Sequence, residues 1–111
     1  MGATLRTGPL GLEDAIDAMT EAARAYADAR ATEMQGEHER PAAKQAAILR
    51  IMAERGLAAT PAEKLAETDP DYAEYLAAQR GAVVTTILRR AEYEAAKARL
   101  WATVRPAEDG L

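Results

Sequence analysis

The chain has no cysteine, so a disulfide framework, a thiolate nucleophile and a cysteine-ligated zinc are all excluded. Histidine occurs once, at His38, inside the polar stretch 33–40. A Ser-His-Asp arrangement therefore has a single candidate centre, and no motif surrounds it. Glu37 and Glu39 flank His38, but sequence neighbours point apart on a helix, and no Glu-x-x-His spacing occurs. The glycines form neither a G-x-G-x-x-G turn nor a Walker loop. No run approaches the roughly 18 consecutive apolar residues that span a bilayer. Met1 to Gly11 carries one arginine and no sustained apolar core, unlike a secretory signal. These absences predict a cytoplasmic protein that is not an enzyme, holds no metal or cofactor, and does not enter a membrane.

Bulk is scarce as well. Phenylalanine is absent and aromatics reach only 5%. Hydrophobic residues make up 49%, but 28 of them are alanines and only 26 are larger. Alanine favours helix strongly and buries little area, so helix propensity is high while core volume is low. Such helices often complete their core with a second copy or another protein, and a homo-oligomer or an obligate complex is expected on that ground. A net charge of −4 and a pI near 5.0 argue against a general nucleic-acid coat, though not against a local basic patch.

The order of elements reads as an all-α bundle of three main helices with a short extra helix, the last helix being long and partly protruding. Gly2, Gly8, Pro9 and Gly11 predict a flexible N-terminal arm over 1–11. A single helical domain over 12–105 follows, then a loose tail over 106–111. The first helix is expected from Leu12 to about Arg30, on a stripe of Leu12, Ile16, Met19, Ala23 and Tyr26. The period is lost over 33–40, where Gly36 is expected to mark a break. A second helix is expected from Pro41 to Arg55, with Ile48, Leu49, Ile51 and Met52 as its densest apolar face. Arg55-Gly56-Leu57 has the form of a C-terminal cap, and Thr60-Pro61-Ala62-Glu63 that of a capping box. Asp69 then caps a helix whose first residue is Pro70 and which runs to about Val104. The expected core contains Leu12, Ile16, Met19, Tyr26, Ile48, Ile51, Met52, Leu76, Val83 and Ile87.

Three surfaces follow from this pattern. Asp14, Asp17, Glu21 and Asp28 form an acidic stripe opposite the first apolar one. It reads first as a solvent face and second as a docking face for a basic partner. Arg80, Arg89, Arg90, Lys97, Arg99 and Arg105 make the last helix locally basic, with Tyr93 and Trp101 among them. Their aliphatic stems could line a seam with the heads in water. Alternatively, Arg89, Arg90, Lys97 and Arg99 could contact phosphates while Tyr93 or Trp101 stacks on bases. Finally, the apolar stripe of this helix rotates beyond Ile87 toward Tyr93, Ala96, Leu100, Trp101 and Val104. A rotated stripe implies a changed neighbour, so these five residues are the expected partner-binding set.

Four segments, Tyr26-Ala-Asp-Ala-Arg30, Arg40-Pro-Ala-Ala-Lys44, Asp71-Tyr-Ala-Glu-Tyr-Leu76 and Arg89-Arg-Ala-Glu-Tyr-Glu-Ala-Ala-Lys97 followed by Ala98-Arg-Leu-Trp101, give the chain a further likeness. Over about 12–105 it resembles the small Ala-rich helical accessory proteins of tailed phages, often encoded near recombination or replication genes. The resemblance implies a phage or mobile-element accessory role. The expectation is thus a helical protein–protein interaction or assembly protein. The alternative is a recombination accessory protein that binds single-stranded DNA through its basic last helix.

Overall fold

The structure, a computed structural model, describes the backbone of residues 9–109 and the side chains of 11–105. It is all-α: α1 spans Pro9–Arg55, α2 spans Ala59–Lys64, a 3-10 turn covers Ala66–Thr68, and α3 spans Pro70–Asp109. Among the described residues there is no strand. The expected break between a first and a second helix does not occur, because α1 runs through both Gly36 and Pro41. Pro41 has no N–H to give to the carbonyl of Glu37, which would normally cost helix stability. Both residues lie on the solvent side, where water can take up that carbonyl. One turn earlier, Gln35 Nε2 donates to Glu39 Oε1 at 2.7 Å, bridging the stretch where the apolar period fails.

Both outer boundaries differ from expectation. The helix begins at Pro9 rather than Leu12, consistent with proline's preference for a first helical position. At the other end α3 continues past Arg105 to Asp109. The rest of the expected arm, 1–8, and the last two residues, 110–111, lie outside the described residues.

The packing divides into two compact units, one made of the chain up to Arg30 with the chain from Thr85 onward, the other of Ala31–Val84. The second holds the better core. Ala47, Ile48, Ile51, Ala62, Ala66 and Tyr72 are buried together, with Met52, Leu57, Leu65 and Leu76 packed against them. Half of that buried set is alanine, so the core is small, as the composition predicts. The connection from α1 to α3 is tied at three points. Gly56 adopts a left-handed φ of 64° and its N–H reaches the Met52 carbonyl at 2.9 Å, which is the cap expected at Arg55-Gly56-Leu57. Leu57 folds back onto the core. Asp69 caps α3, accepting from the Tyr72 N–H at 3.0 Å.

The capping box at Thr60 is not formed. The residue before α2 is Ala58, and no side chain caps the helix. Starting two residues earlier puts Thr60 and Pro61 inside the first turn, where backbone N–H groups need no helical partner. Glu63 faces Lys44 instead, at 3.7 Å.

In each unit taken by itself, α1 and α3 run antiparallel. In the second unit Arg50 meets Asp69, Gly36 meets Tyr75 and Glu33 meets Gln79. In the first, Ala29 meets Thr86 and Tyr26 meets Tyr93.

Candidate interaction face

Two faces of α3 explain most of what its side chains do. The inward face is marked by Tyr72, Tyr75, Gln79, Thr86 and Tyr93, each of which contacts α1. Tyr72 is buried in the core, beside the Arg40 guanidinium, whose pKa it raises. Tyr75 donates its hydroxyl proton to the Gly36 carbonyl. Gln79 Nε2 donates to the Glu33 carbonyl at 3.0 Å, and Thr86 Oγ1 to the Ala29 carbonyl at 3.2 Å. Tyr93 stacks on Tyr26 with ring centroids 6.0 Å apart. Ala82, Arg89, Ala96 and Leu100 complete the same three-and-four spacing and are half-buried. Much of this seam is polar. Its hydroxyl and amide groups find α1 carbonyls, which repays their desolvation.

That polarity is why the expected core was only partly right. Ile48 and Ile51 are buried, and Met52 and Leu76 pack beside them. Leu12, Met19 and Tyr26 are half-buried. Ile16, Val83 and Ile87, expected inside, are exposed at 42%, 37% and 61%. A stripe drawn through apolar residues alone selects Val83 and Ile87. The real seam runs through Gln79 and Thr86.

Roughly 160° around α3 at 100° per residue lies the outward face. In the second unit Ala77, Gly81 and Val84, and in the first unit Leu88, Ala91, Ala95, Ala98 and Ala102, recur at alternating spacings of four and three, and all are exposed. Ile87 and Trp101 border it, also exposed. Within the first unit, Leu88 to Ala102 have the heptad spacing of a helix face that packs against another helix.

The expected site residues separate accordingly. Of the five partner-binding candidates, Tyr93 lies on the inward seam with Ala96 and Leu100, and Val104 is half-buried at the next turn, whereas Trp101 is exposed. The changed neighbour inferred beyond Ile87 is therefore the N-terminal stretch of α1, in the unit to which both belong. Of the four phosphate candidates, Arg89 is paired with Glu92 at 2.6 Å and Lys97 with Glu94 at 3.3 Å. Lys97 also lies 4.9 Å from the centre of the Tyr93 ring. Arg90 and Arg99 are exposed but fall about 180° apart on the helix, so the basic residues do not share one strip. Asp17, Glu21 and Asp28 are exposed and Asp14 is half-buried. Glu21 sits 3.6 Å from Arg24 on its own helix, the arrangement of an ordinary solvated face.

A well-formed polar contact joins Arg50 to Asp69. Arg50 Nε and Nη2 donate to the two oxygens of Asp69, at 3.1 and 2.7 Å. Asp69 is buried, and the Arg50 fork, followed by the Tyr72 N–H, draws its carboxyl down from 3.8 to about 2. Among the described residues no three His, Asp or Glu side chains gather where a metal ion could sit, and no helix is long and apolar enough to cross a membrane. Comparison with protein-family models, with curated proteins and with solved structures finds no match for this chain.

Proposed function

We propose that this chain is a non-enzymatic interaction or assembly protein that binds another polypeptide through the outward face of α3. One observation carries the reading. Val84, Ile87, Leu88 and Trp101 expose 55%, 61%, 55% and 60% of their surface along one side of a helix whose opposite side is already occupied. Scattered exposed apolar residues are normal, but an aligned set bordered by charge is how interaction faces are built. The alanines between them bring a second helix close enough for the larger side chains to interlock. The likeness to phage accessory proteins makes a phage-infected or element-bearing bacterium the place to seek the partner.

The test compares the wild-type protein with a Val84→Glu/Leu88→Glu double variant. Both positions are solvent-exposed, so the variant should keep its helix content by circular dichroism. The wild type should associate, with itself by light scattering or with a protein captured from its host, and the variant should not. Wild type that neither self-associates nor captures anything the variant loses would overturn the reading. Single-stranded DNA is the control ligand. Because Arg89, Lys97 and Tyr93 are engaged within the chain, Trp101 fluorescence is expected not to change at micromolar protein and low salt.

A further inference from the structure

The two units are closed by different means. In Ala31–Val84 a third element lies against the long helices. Ala62 of α2 and Ala66 of the 3-10 turn are buried together with Ile48 and Ile51 of α1 and Tyr72 of α3. Arg50 forks onto the buried Asp69, and Tyr75 and Gln79 each donate to an α1 carbonyl. In the unit made of the chain up to Arg30 and from Thr85 onward, the described residues belong to α1 and α3 alone. Among the described residues of that unit, Ala15 and Thr86 are buried. Its large seam side chains, Leu12, Met19, Tyr26, Tyr93, Leu100 and Val104, are half-buried.

Two helices side by side touch along one line and leave both flanks of that line to water. Enclosing a large side chain takes a third element. The hydrophobic stabilisation of the two-helix unit is correspondingly small. Separating its helices also sacrifices little helix at the outset. Both α1 and α3 extend into Ala31–Val84, where the cost of nucleation is already met. The alanine-rich stretches 15–29 and 91–102 favour helix without a neighbour.

We infer that the two-helix unit is a clasp. Its α1 and α3 stretches separate from each other while Ala31–Val84 stays folded, and this opening is reached far more readily than unfolding of the whole chain. Opening breaks the Tyr26–Tyr93 stack and the hydrogen bond from Thr86 to the Ala29 carbonyl. It uncovers Leu12, Met19, Tyr26, Tyr93 and Leu100, a seam that the closed chain keeps half-covered. The clasp concerns the inward side of α3 and does not rest on what the outward side binds.

Native-state hydrogen exchange on the full chain, in buffer and in low urea, tests this. Once separated, each stretch frays as an isolated helix does. Amides of 15–29 and 89–100 should therefore be protected about a hundredfold less than those of 47–52 and 72–79. Ile51→Val trims one methylene from the core of Ala31–Val84 and keeps the fold. It should speed exchange at 47–52 and 72–79 by about two- to tenfold and leave 15–29 and 89–100 unchanged. Tyr93→Ala eases the opening itself. Complete unfolding includes that opening, so exchange should rise by the same factor, about tenfold, in both units.

The lack of cysteine allows a matched pair of single thiols as a second probe. Ala15 and Ala47 are both 0% exposed, one in each unit. Ala15→Cys should react with a thiol reagent about a hundredfold faster than Ala47→Cys in native buffer. Equal protection in the two units, or an Ile51→Val effect of one size throughout the chain, would show a single cooperative unit and overturn the inference. Equal labelling of the two thiols would do the same.

Discussion

Asp69 concentrates three tasks in one carboxylate. It caps α3, it accepts both arms of Arg50, and it is buried while doing so. Its folded pKa, about 2, lies below the ordinary 3.8. Protonation is therefore easier in the unfolded chain. The stabilisation is present in full above about pH 4 and disappears as pH falls through about 2. Urea midpoints measured across this window should fall steeply for the wild type and less so for Asp69→Asn, which keeps a capping oxygen but no charge. Gly36 has the opposite character, since what matters there is an absent side chain. A Cβ at that position would run into the Gln79 amide, which is bonded to the Glu33 carbonyl. Gly36→Ala should gain about 1 kcal/mol of helix propensity and lose about as much with the displaced hydrogen bond, for a net change near zero. In a Gln79→Ala background the same substitution should stabilise by about 0.5–1 kcal/mol, a coupling that a double-mutant cycle would read.

The elements raise the question of why α1 is one helix. Alanine-rich sequence on both sides of Pro41 favours helix, and the contacts of Gly36, Arg40 and Arg50 with α3 hold the backbone on either side of the proline. Tertiary packing here overrides a local breaker. Pro41 is exposed, so removing its ring should sacrifice no packing. Pro41→Ala is expected to stabilise the protein by about 1–3 kcal/mol, seen as a higher thermal midpoint and slower amide exchange around Glu37. If the helix were interrupted at this point, the same substitution would leave exchange there unchanged.

At the scale of the whole molecule, the scarcity of bulk sets the behaviour. No large side chain among those described is fully buried, and four of the larger apolar residues line the free side of α3. A chain built this way would gain stability from association that buried those residues. If two copies pair along α3, the thermal midpoint must depend on concentration, because the dimer dissociates as it unfolds. A tenfold rise in protein concentration should raise it by a few °C. The Val84→Glu/Leu88→Glu variant should show a lower midpoint that does not move with concentration.

The sequence by itself determined the helical class, the small core and the two ends of the connection between the long helices, at Gly56 and at Asp69. Those follow from local physics: alanine propensity, the left-handed preference of Gly56, and the pairing of Asp69 with Pro70 at a helix start. Tertiary structure decided the rest. It carried α1 through Gly36 and Pro41, because contacts with a distant segment outweighed a local penalty. It also decided which side of α3 faces inward. Gln79 and Thr86 mark the buried side and Val84 and Leu88 the open one, the reverse of what hydrophobicity suggests. Hydrogen bonds to carbonyls on another helix make a polar residue a good seam residue, and no pattern within α3 reveals that those carbonyls are there. The same inversion hid the candidate face. The sequence pointed to Trp101, which is exposed, but also to Tyr93, which stacks on α1, and to Leu100, which is half-buried, and only the packing left Val84, Ile87 and Leu88 exposed as well.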